Sequence, residues 1–254
     1  MKTYISITSI FDKQNVLLYA LKSIDQQSVK PDKCFINLCE DPNLLDRGFK
    51  DKKINPELEH YISSNNLFEI RWVKNTGPFV KLLPLLKEKW QEDCLIITID
   101  DDSVYHKDLV KNYKRHYNEH RCVICHRSFN MIYDNIEDMR YHNRGSVPSV
   151  PVINNFHTGK GGVLFHPSFF KESIKHIFDE NIYTKCCPTN DDVWFNLHRI
   201  ANRIKCFASP ENTMAKDQSL PQFALWDNFN IKPDVNDVQI QKTIQTLKIL
   251  GYKL

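Results

Sequence analysis

The chain predicts an α/β fold with a mostly parallel central sheet flanked by helices. Three observations predict it. Short apolar runs alternate with amphipathic segments through the first half of the 254 residues, the pattern of strand–helix units in a parallel sheet. The run Cys94–Ile99 is apolar but for Thr98, as expected of a central strand buried on both faces. That run ends in three consecutive carboxylates, Asp100-Asp101-Asp102, at the carboxyl end of a strand, where such sheets bind their ligands.

The elements follow in order. Thr3–Ile10 is a first strand, and a helix covers roughly Lys13–Gln27, where Leu17, Leu18, Leu21 and Ile24 recur at helical spacing. Pro31 precedes the strand Cys34–Leu38. A polar segment runs to Lys53, and Asn55-Pro56-Glu57-Leu58 opens a short helix with proline in its first turn. Phe68–Val73 is a third strand. Phe79–Trp90 is a helix, kinked or late to start because Pro84 lies inside it. Cys94–Ile99 is the fourth strand, and Lys107–Tyr117 the next helix. The second half is less regular. It reads as a strand over Arg121–Arg127, a loop over Met131–Ile153, and a glycine-rich turn entering a strand over His157–His166. An amphipathic helix over Pro167–Phe178 follows, then a helix from Asn190, its N-cap, to about Arg203, and a short strand Arg203–Ser209. Asn212–Leu254 reads as a polar aromatic loop and a final helix over roughly Val238–Leu250. Residues 1–210 therefore form one domain, with 1–105 and 106–210 as its halves, and 211–254 a C-terminal extension. There is no internal repeat.

Composition excludes several classes. The apolar fraction of 41% and charged fraction of 26% are those of a folded globular domain rather than a disordered chain. A net charge of +3 is too small for nucleic acid as the main partner. No apolar run approaches the ~20 residues of a membrane span, and Met1–Ile7 reads as a strand rather than a signal peptide. A cytoplasmic protein is expected, its eight cysteines thiols. Cys122 and Cys125 would lie on opposite faces of a strand, and no second C-x-x-C follows, so structural zinc is not expected.

The aspartate triplet needs a reason. Adjacent carboxylates repel, and desolvation at a strand end adds to the cost. A divalent cation reverses that penalty, and hard oxygen ligands suit magnesium or manganese, especially when substrate phosphates complete the shell. Capping of the next element by Asp102 or Ser103 is the plainer use of these residues. Thr8-Ser9-Ile10-Phe11-Asp12 and Cys39-Glu40-Asp41 follow the first and second strands, so three loops converge on one rim. Lys81, just ahead of an apolar helical run, either reaches a phosphate or is solvated. Asp191-Asp192 opens a helix, where acidic residues cap, or serve as a base kept ionised by the helix dipole. His157 and His166 flank the glycine turn and are expected at the surface. Trp194 shares helical spacing with Leu197 and Ile200 and is expected in the core.

Four stretches occur in order over about residues 3 to 208: Asn75-Thr-Gly-Pro-Phe-Val-Lys81, Ile97-Thr-Ile-Asp100-Asp101-Asp102-Ser-Val-Tyr105, Gly159-Lys-Gly161-Gly162-Val-Leu-Phe165 and Asn190-Asp191-Asp192-Val-Trp194. Together they resemble bacterial GT-A glycosyltransferases of the family-2-like, DxD-containing kind. The resemblance implies a Rossmann-like nucleotide-sugar-binding half (1–105) and an acceptor-binding half (106–210). It makes the triplet the DxD motif, with Asp102 the direct ligand of Mn2+ or Mg2+, Asp100 on the ribose and metal side, and Asp101 beside them in the donor site. It places Thr8, Ser9 and Asp12 near the nucleoside, Glu40 or Asp41 near uracil or ribose, and Asn75 and Lys81 in the donor site. Gly161 and Gly162 would line the sugar and acceptor pocket. The catalytic base falls on the late acidic pair: Asp192 if Asp191-Asp192 replaces the Glu-Asp of many relatives, with the choice between the two left open.

The expected activity is a metal-dependent transfer, inverting, from a nucleotide-sugar donor, a UDP-sugar, to a glycan or lipid-linked glycan acceptor of a capsule or lipooligosaccharide. A haloacid-dehalogenase-type phosphatase would need a nucleophilic aspartate ending the first strand, which here reads Ile5-Ser-Ile-Thr-Ser-Ile10. A nucleotidyltransferase would carry a glycine-rich phosphate loop, and Phe11-Asp-Lys-Gln-Asn15 has no glycine. The alternatives are a nucleotidyltransferase without that loop, or a non-catalytic sugar-binding module on the same fold. In the tail Ile244, Leu247, Ile249 and Leu250 with Lys242, Lys248 and Lys253 suit a peripheral contact at the inner membrane, or packing of the final helix on the domain, the commoner use of such a face.

Overall fold

Four apolar runs become the parallel half of a central sheet. The computed structural model describes residues 1–232 and 234–254. Strands β1 (Lys2–Thr8), β2 (Lys33–Leu38), β3 (Phe68–Trp72) and β4 (Cys94–Ile99) lie in the order β3-β2-β1-β4, all parallel. Every residue of β4 is buried. Helices α1 (Gln14–Asp25), α2 (Pro56–Ser63) and α3 (Leu83–Glu88) make the crossovers. In α1, Leu17, Leu18, Leu21 and Ile24 are buried, each contributing roughly 2 kcal/mol of apolar burial. Asn55 caps α2, its side-chain oxygen accepting from the Glu57 N–H at 2.9 Å, with Pro56 in the first turn.

The chain then continues through β5 (Ser103–Tyr105), α4 (Leu109–His120), β6 (Val123–Met131), β7 (Arg144–Gly145), β8 (Asn155–Phe165), α5 (Glu180–Cys186), α6 (Asp191–Ala201), β9 (Cys206–Ala208), β10 (Met214–Asp217) and α7 (Val235–Ile249). The sheet grows past β4 in the order β4-β8-β6-β7, antiparallel, and β9 joins β6 in parallel, making eight strands. The architecture is mixed α/β with a mostly parallel central sheet flanked by helices, as expected.

Several elements differ from expectation. Pro84 does delay its helix: Gly77–Lys81 is a 3-10 turn and α3 starts at Leu83. That leaves Lys81 on the turn, ahead of the helix. The glycine-rich stretch is no turn. It is the middle of the continuous strand β8, where Gly161 and Gly162 take φ of +82° and +94° and absorb a bulge between the Cys125 and Arg127 pairings. Pro167–Ser173 is a 3-10 helix rather than an α-helix. The eight cysteines are all buried and free.

The described residues of 211–254 pack against the rest of the chain. Met214–Asp217 pairs antiparallel with Ser103–Tyr105, beside the aspartate triplet. Helix α7 packs on α5 and α6 and buries Ile240, Ile244 and Leu247. Packing thus claims Ile244 and Leu247 of the apolar face offered to a membrane, while Leu250 is half-buried and Ile249 stays exposed. Among the described residues no helix is long and apolar enough to cross a membrane.

Candidate active site

The carboxyl ends of β1, β2 and β4 open into a cavity of about 690 Å³. Its floor is acidic, and each acid of the triplet has a separate environment. Both oxygens of Asp101 are taken: Oδ2 accepts from Ser9 Oγ at 2.5 Å, and Oδ1 faces Lys13 Nζ at 3.3 Å. Lys13 also reaches Asp102 Oδ2 at 2.8 Å. Burial would lower the Lys13 pKa, but Asp101 and Asp102 outweigh it and raise it. Burial pushes Asp101 up, against the pull of Lys13. Asp100 Oδ1 accepts from Lys81 Nζ at 2.5 Å. Burial would raise Asp100 too, but there the lysine prevails and its pKa is lowered. Lys81 is correspondingly raised, as Asp100 and Asp191 overcome the desolvation of its ammonium.

These contacts divide the triplet. Asp101 ties β4 to the loop after β1. Asp100 Oδ2 and Asp102 Oδ1 have no hydrogen-bond partner among the described residues. Two carboxylates with an unengaged oxygen each, beside room for a diphosphate, fit a hard divalent cation such as Mg2+ or Mn2+. Asp102 would hold it directly, with Asp100 as second ligand.

Helix α6 brings the second acidic pair over the same floor. Asn190 is its N-cap, accepting from the Val193 N–H at 3.4 Å. The Asn190 amide in turn donates to Asn236 Oδ1 of α7 at 2.7 Å. Asn196 clamps α6 to β8: its amide donates to the His157 carbonyl at 2.9 Å, and its oxygen accepts from the His157 N–H at 3.1 Å. Fully buried Arg199 adds hydrogen bonds to the carbonyls of Ile153 and Ile204 at 3.0 and 2.9 Å. The clamp sets Asp192 above Gly159. A Cβ at Gly159 would stand 3.1 Å from Lys81 Nζ and 3.7 Å from both Asp100 Oδ1 and Asp192 Oδ1. Gly159 is thus the point around which lysine and both acids meet. Burial, then the neighbouring Asp191 charge, pushes Asp192 up to about 8; burial pushes Asp191 up to about 6.

The structure places the expected residues unevenly. Thr8, Ser9, Asn75, Lys81, Asp100, Asp101, Asp102, Asp191 and Asp192 all line the cavity. Asp12 and Glu40 do not: Asp12 pairs with Arg47 at 3.0 Å and Glu40 with Lys52 at 3.4 Å, at the surface. Gly161 and Gly162 are buried beneath the rim, where Tyr113 donates to the Gly162 carbonyl at 2.8 Å; Gly159 and Lys160 take the lining positions instead. His157 and His166 are buried rather than exposed, and burial lowers the His157 pKa well below the usual range. Trp194 is core, as expected.

Sequence reasoning missed other lining groups. Lys13 read only as the start of a helix. Asp46 lay in a segment read as polar linker, yet it is buried and accepts from the N–H groups of Phe11 and Gly48 at 3.1 and 2.9 Å and from the Asn75 amide at 3.2 Å. Its one signal was the Asp-Arg-Gly turn: Gly48 has φ +78°, and a Cβ there would stand 2.1 Å from the Glu40 carbonyl oxygen. Asp217, Ser219, Trp226 and Asp227 come from the tail and gave no signal.

No family model matches the chain, and no curated protein matches it. Solved structures do. S. aureus TarS 1-349 in complex with UDP-GlcNAc matches with a TM-score of 0.58 at 15% identity, covering 100% of this chain and 68% of that one. The same protein in complex with UDP gives 0.55 at 13% identity, with 100% and 67% covered. A 4-diphosphocytidyl-2C-methyl-D-erythritol synthase from Anaerococcus prevotii DSM 20548 gives 0.50 at 11% identity, over 91% and 96%. The likeness at these identities is one of fold, and the fold is of the GT-A type.

Proposed function

We propose that this chain is a glycosyltransferase that moves a sugar from a nucleotide-diphosphate donor, a UDP-sugar, to a hydroxyl of a bacterial surface glycan, with inversion. The observation that carries this reading is the meeting of Lys81, Asp100 and Asp192 around Gly159, in a cavity at the carboxyl ends of the parallel strands. The cocrystallised UDP and UDP-GlcNAc of the TarS structures support the donor class.

The residues divide the chemistry. Thr8, Asp46 and Asn75 lie on the β1–β2 side of the cavity, suited to the nucleoside. Asp102 and Asp100 would hold Mn2+ or Mg2+, which would supply charge neutralisation of the leaving diphosphate. Lys81 adds a cation beside the same group, aimed where charge develops. Asp192, in its ionised form, takes the proton of the acceptor hydroxyl. The acceptor oxygen bonds to the anomeric carbon from the face opposite the leaving group, the bond from that carbon to the diphosphate oxygen breaks, and the nucleoside diphosphate departs with the electron pair. A pKa near the working pH suits Asp192 to this role better than an ordinary carboxylate. The acceptor belongs to capsule or lipooligosaccharide, free or lipid-linked.

Thermal melts with UDP, GDP and CDP, each with and without Mn2+, test the reading. At a hundredfold excess over Kd a bound nucleotide stabilises by about 2.7 kcal/mol, a rise of roughly 5–10 °C for a chain of this size. The expected result is a manganese-dependent rise with UDP. No metal-dependent rise with any nucleotide would sink the assignment.

A further inference from the structure

The proposed function leaves one wall of the cavity without a task. Arg127 on β6 and Arg144 on β7 line it, with Phe129, Tyr141 and Trp226. The Arg144 guanidinium lies 3.7 Å from the Phe129 ring centre and 4.3 Å from that of Tyr141; Arg127 is 5.5 Å from Phe129. Each arginine is anchored through Nε alone, Arg127 to Thr158 Oγ1 at 2.9 Å and Arg144 to the Tyr141 carbonyl. Their terminal Nη groups have no partner among the described residues. Arg47, Arg71 and Arg115 pair with acids elsewhere, but among the described residues no carboxylate lies within ion-pair distance of Arg127 or Arg144. Two guanidinium groups beside aromatic rings, lining one cavity and each with unpartnered Nη groups, suit a planar or tetrahedral oxyanion.

Position decides whose anion it is. The sheet order β1-β4-β8-β6-β7 puts Arg127 three strands and Arg144 four strands from β1, roughly 14 and 19 Å at about 4.8 Å per strand. The floor, with Asp100 just past β4, Gly159 on β8 and Lys81 reaching in from its 3-10 turn, lies between them and the nucleoside side. Arg127 is anchored on Thr158, the residue before Gly159, so the wall adjoins the side of the site where Asp192 stands. Trp226 is 43% exposed and tilts onto Tyr141 at 6.2 Å between ring centres, leaving an aromatic face open for a sugar ring.

We propose that Arg127 and Arg144 form an oxyanion subsite for the acceptor, which is therefore a glycan bearing a phosphate or carboxylate beside the sugar that is extended, with that ring against Trp226. The proposal rests on the glycosyltransferase reading and deepens it.

Calorimetric titration of the UDP-saturated protein with glucose 1-phosphate, glucuronate and methyl glucoside tests it. At least one of the two anions is expected to bind ten times or more tighter than the neutral sugar, and the tighter one tells phosphate from carboxylate. Arg127→Met with Arg144→Met should lose that binding tenfold or more while the affinity for UDP stays within twofold. Arg127→Lys with Arg144→Lys keeps the charge without the fork and should lose most of the affinity; because Arg127 is exposed, Arg127→Met alone carries the test should either double variant fail to fold. Equal binding of all three sugars, anion binding that survives the substitutions, or a tenfold loss of UDP affinity in the variants would each overturn the proposal, the last by giving the arginines to the donor diphosphate. If the wild type binds no nucleotide, the glycosyltransferase reading falls alone, and the same titration without UDP still reads the arginine pair.

Discussion

Asp192 shows what a buried carboxylate costs and what it offers. Its folded pKa of about 8 lies above the ordinary value of 3.8, so the native state holds the proton to higher pH than the unfolded chain does. Between about pH 4 and pH 8 the folded protein binds more protons, and Asp192 makes stability fall as pH rises through that window. Asp192→Asn should therefore stabilise the fold at pH 9 by at least the ~1.4 kcal/mol of one pKa unit, seen as a higher melting temperature, with the gain gone near pH 4. The same change should lower kcat by roughly 10²–10⁴-fold, the usual share of a general base, and leave UDP binding intact. In the wild type, kcat/KM should climb with pH through a midpoint at about 8 and level off above it. Melts at the two pH values and a pH–rate profile check both halves; unchanged turnover would move the base to Asp191. At this scale the sequence was informative where charge was concentrated: the triplet and the late pair both line the cavity. It was silent on Lys13 and Asp46, because a lysine or aspartate acquires a role only from the partner the fold brings to it.

The elements owe their placement to a few backbone features. The strand β8 must pass under the rim and still expose Gly159, and it does so through the bulge at Gly161 and Gly162. A Cβ at Gly161 would stand 2.5 Å from His126 Cδ2 and 2.6 Å from His126 Cβ, at a φ of +82°. The His126 Cβ is fixed to its own strand and cannot swing away. Gly161→Ala should therefore destabilise the fold by roughly 2–4 kcal/mol, lowering the melting temperature by roughly 5–15 °C; a change under 2 °C would show that β8 can be rebuilt without the bulge. The helices and parallel strands were legible because their periodicity is local. The bulge was not: a run of glycines signals a turn as readily as a distorted strand, and only pairing with β4 and β6 distinguishes them.

For the whole molecule, the C-terminal residues are the main surprise. They read as an extension, yet Gln218 N–H donates to the Asp102 carbonyl at 2.7 Å, β10 lies against β5, and Asn236 of α7 holds the N-cap of α6. The tail thus touches both acidic elements. Deleting residues 212–254 should expose the buried faces of α5 and α6 and abolish a single cooperative melt; a truncated chain that melts cooperatively and binds UDP as the full chain does would make the tail a true appendage. The class of fold and the charge of the floor were legible along the chain, because hydrophobic period and clustered charge are properties of neighbours in sequence. The pairing of each aspartate, the aromatic–arginine wall and the contacts of the tail emerged with the fold, because those depend on residues tens to more than a hundred positions apart, whose encounter is set by strand order and packing rather than by anything local.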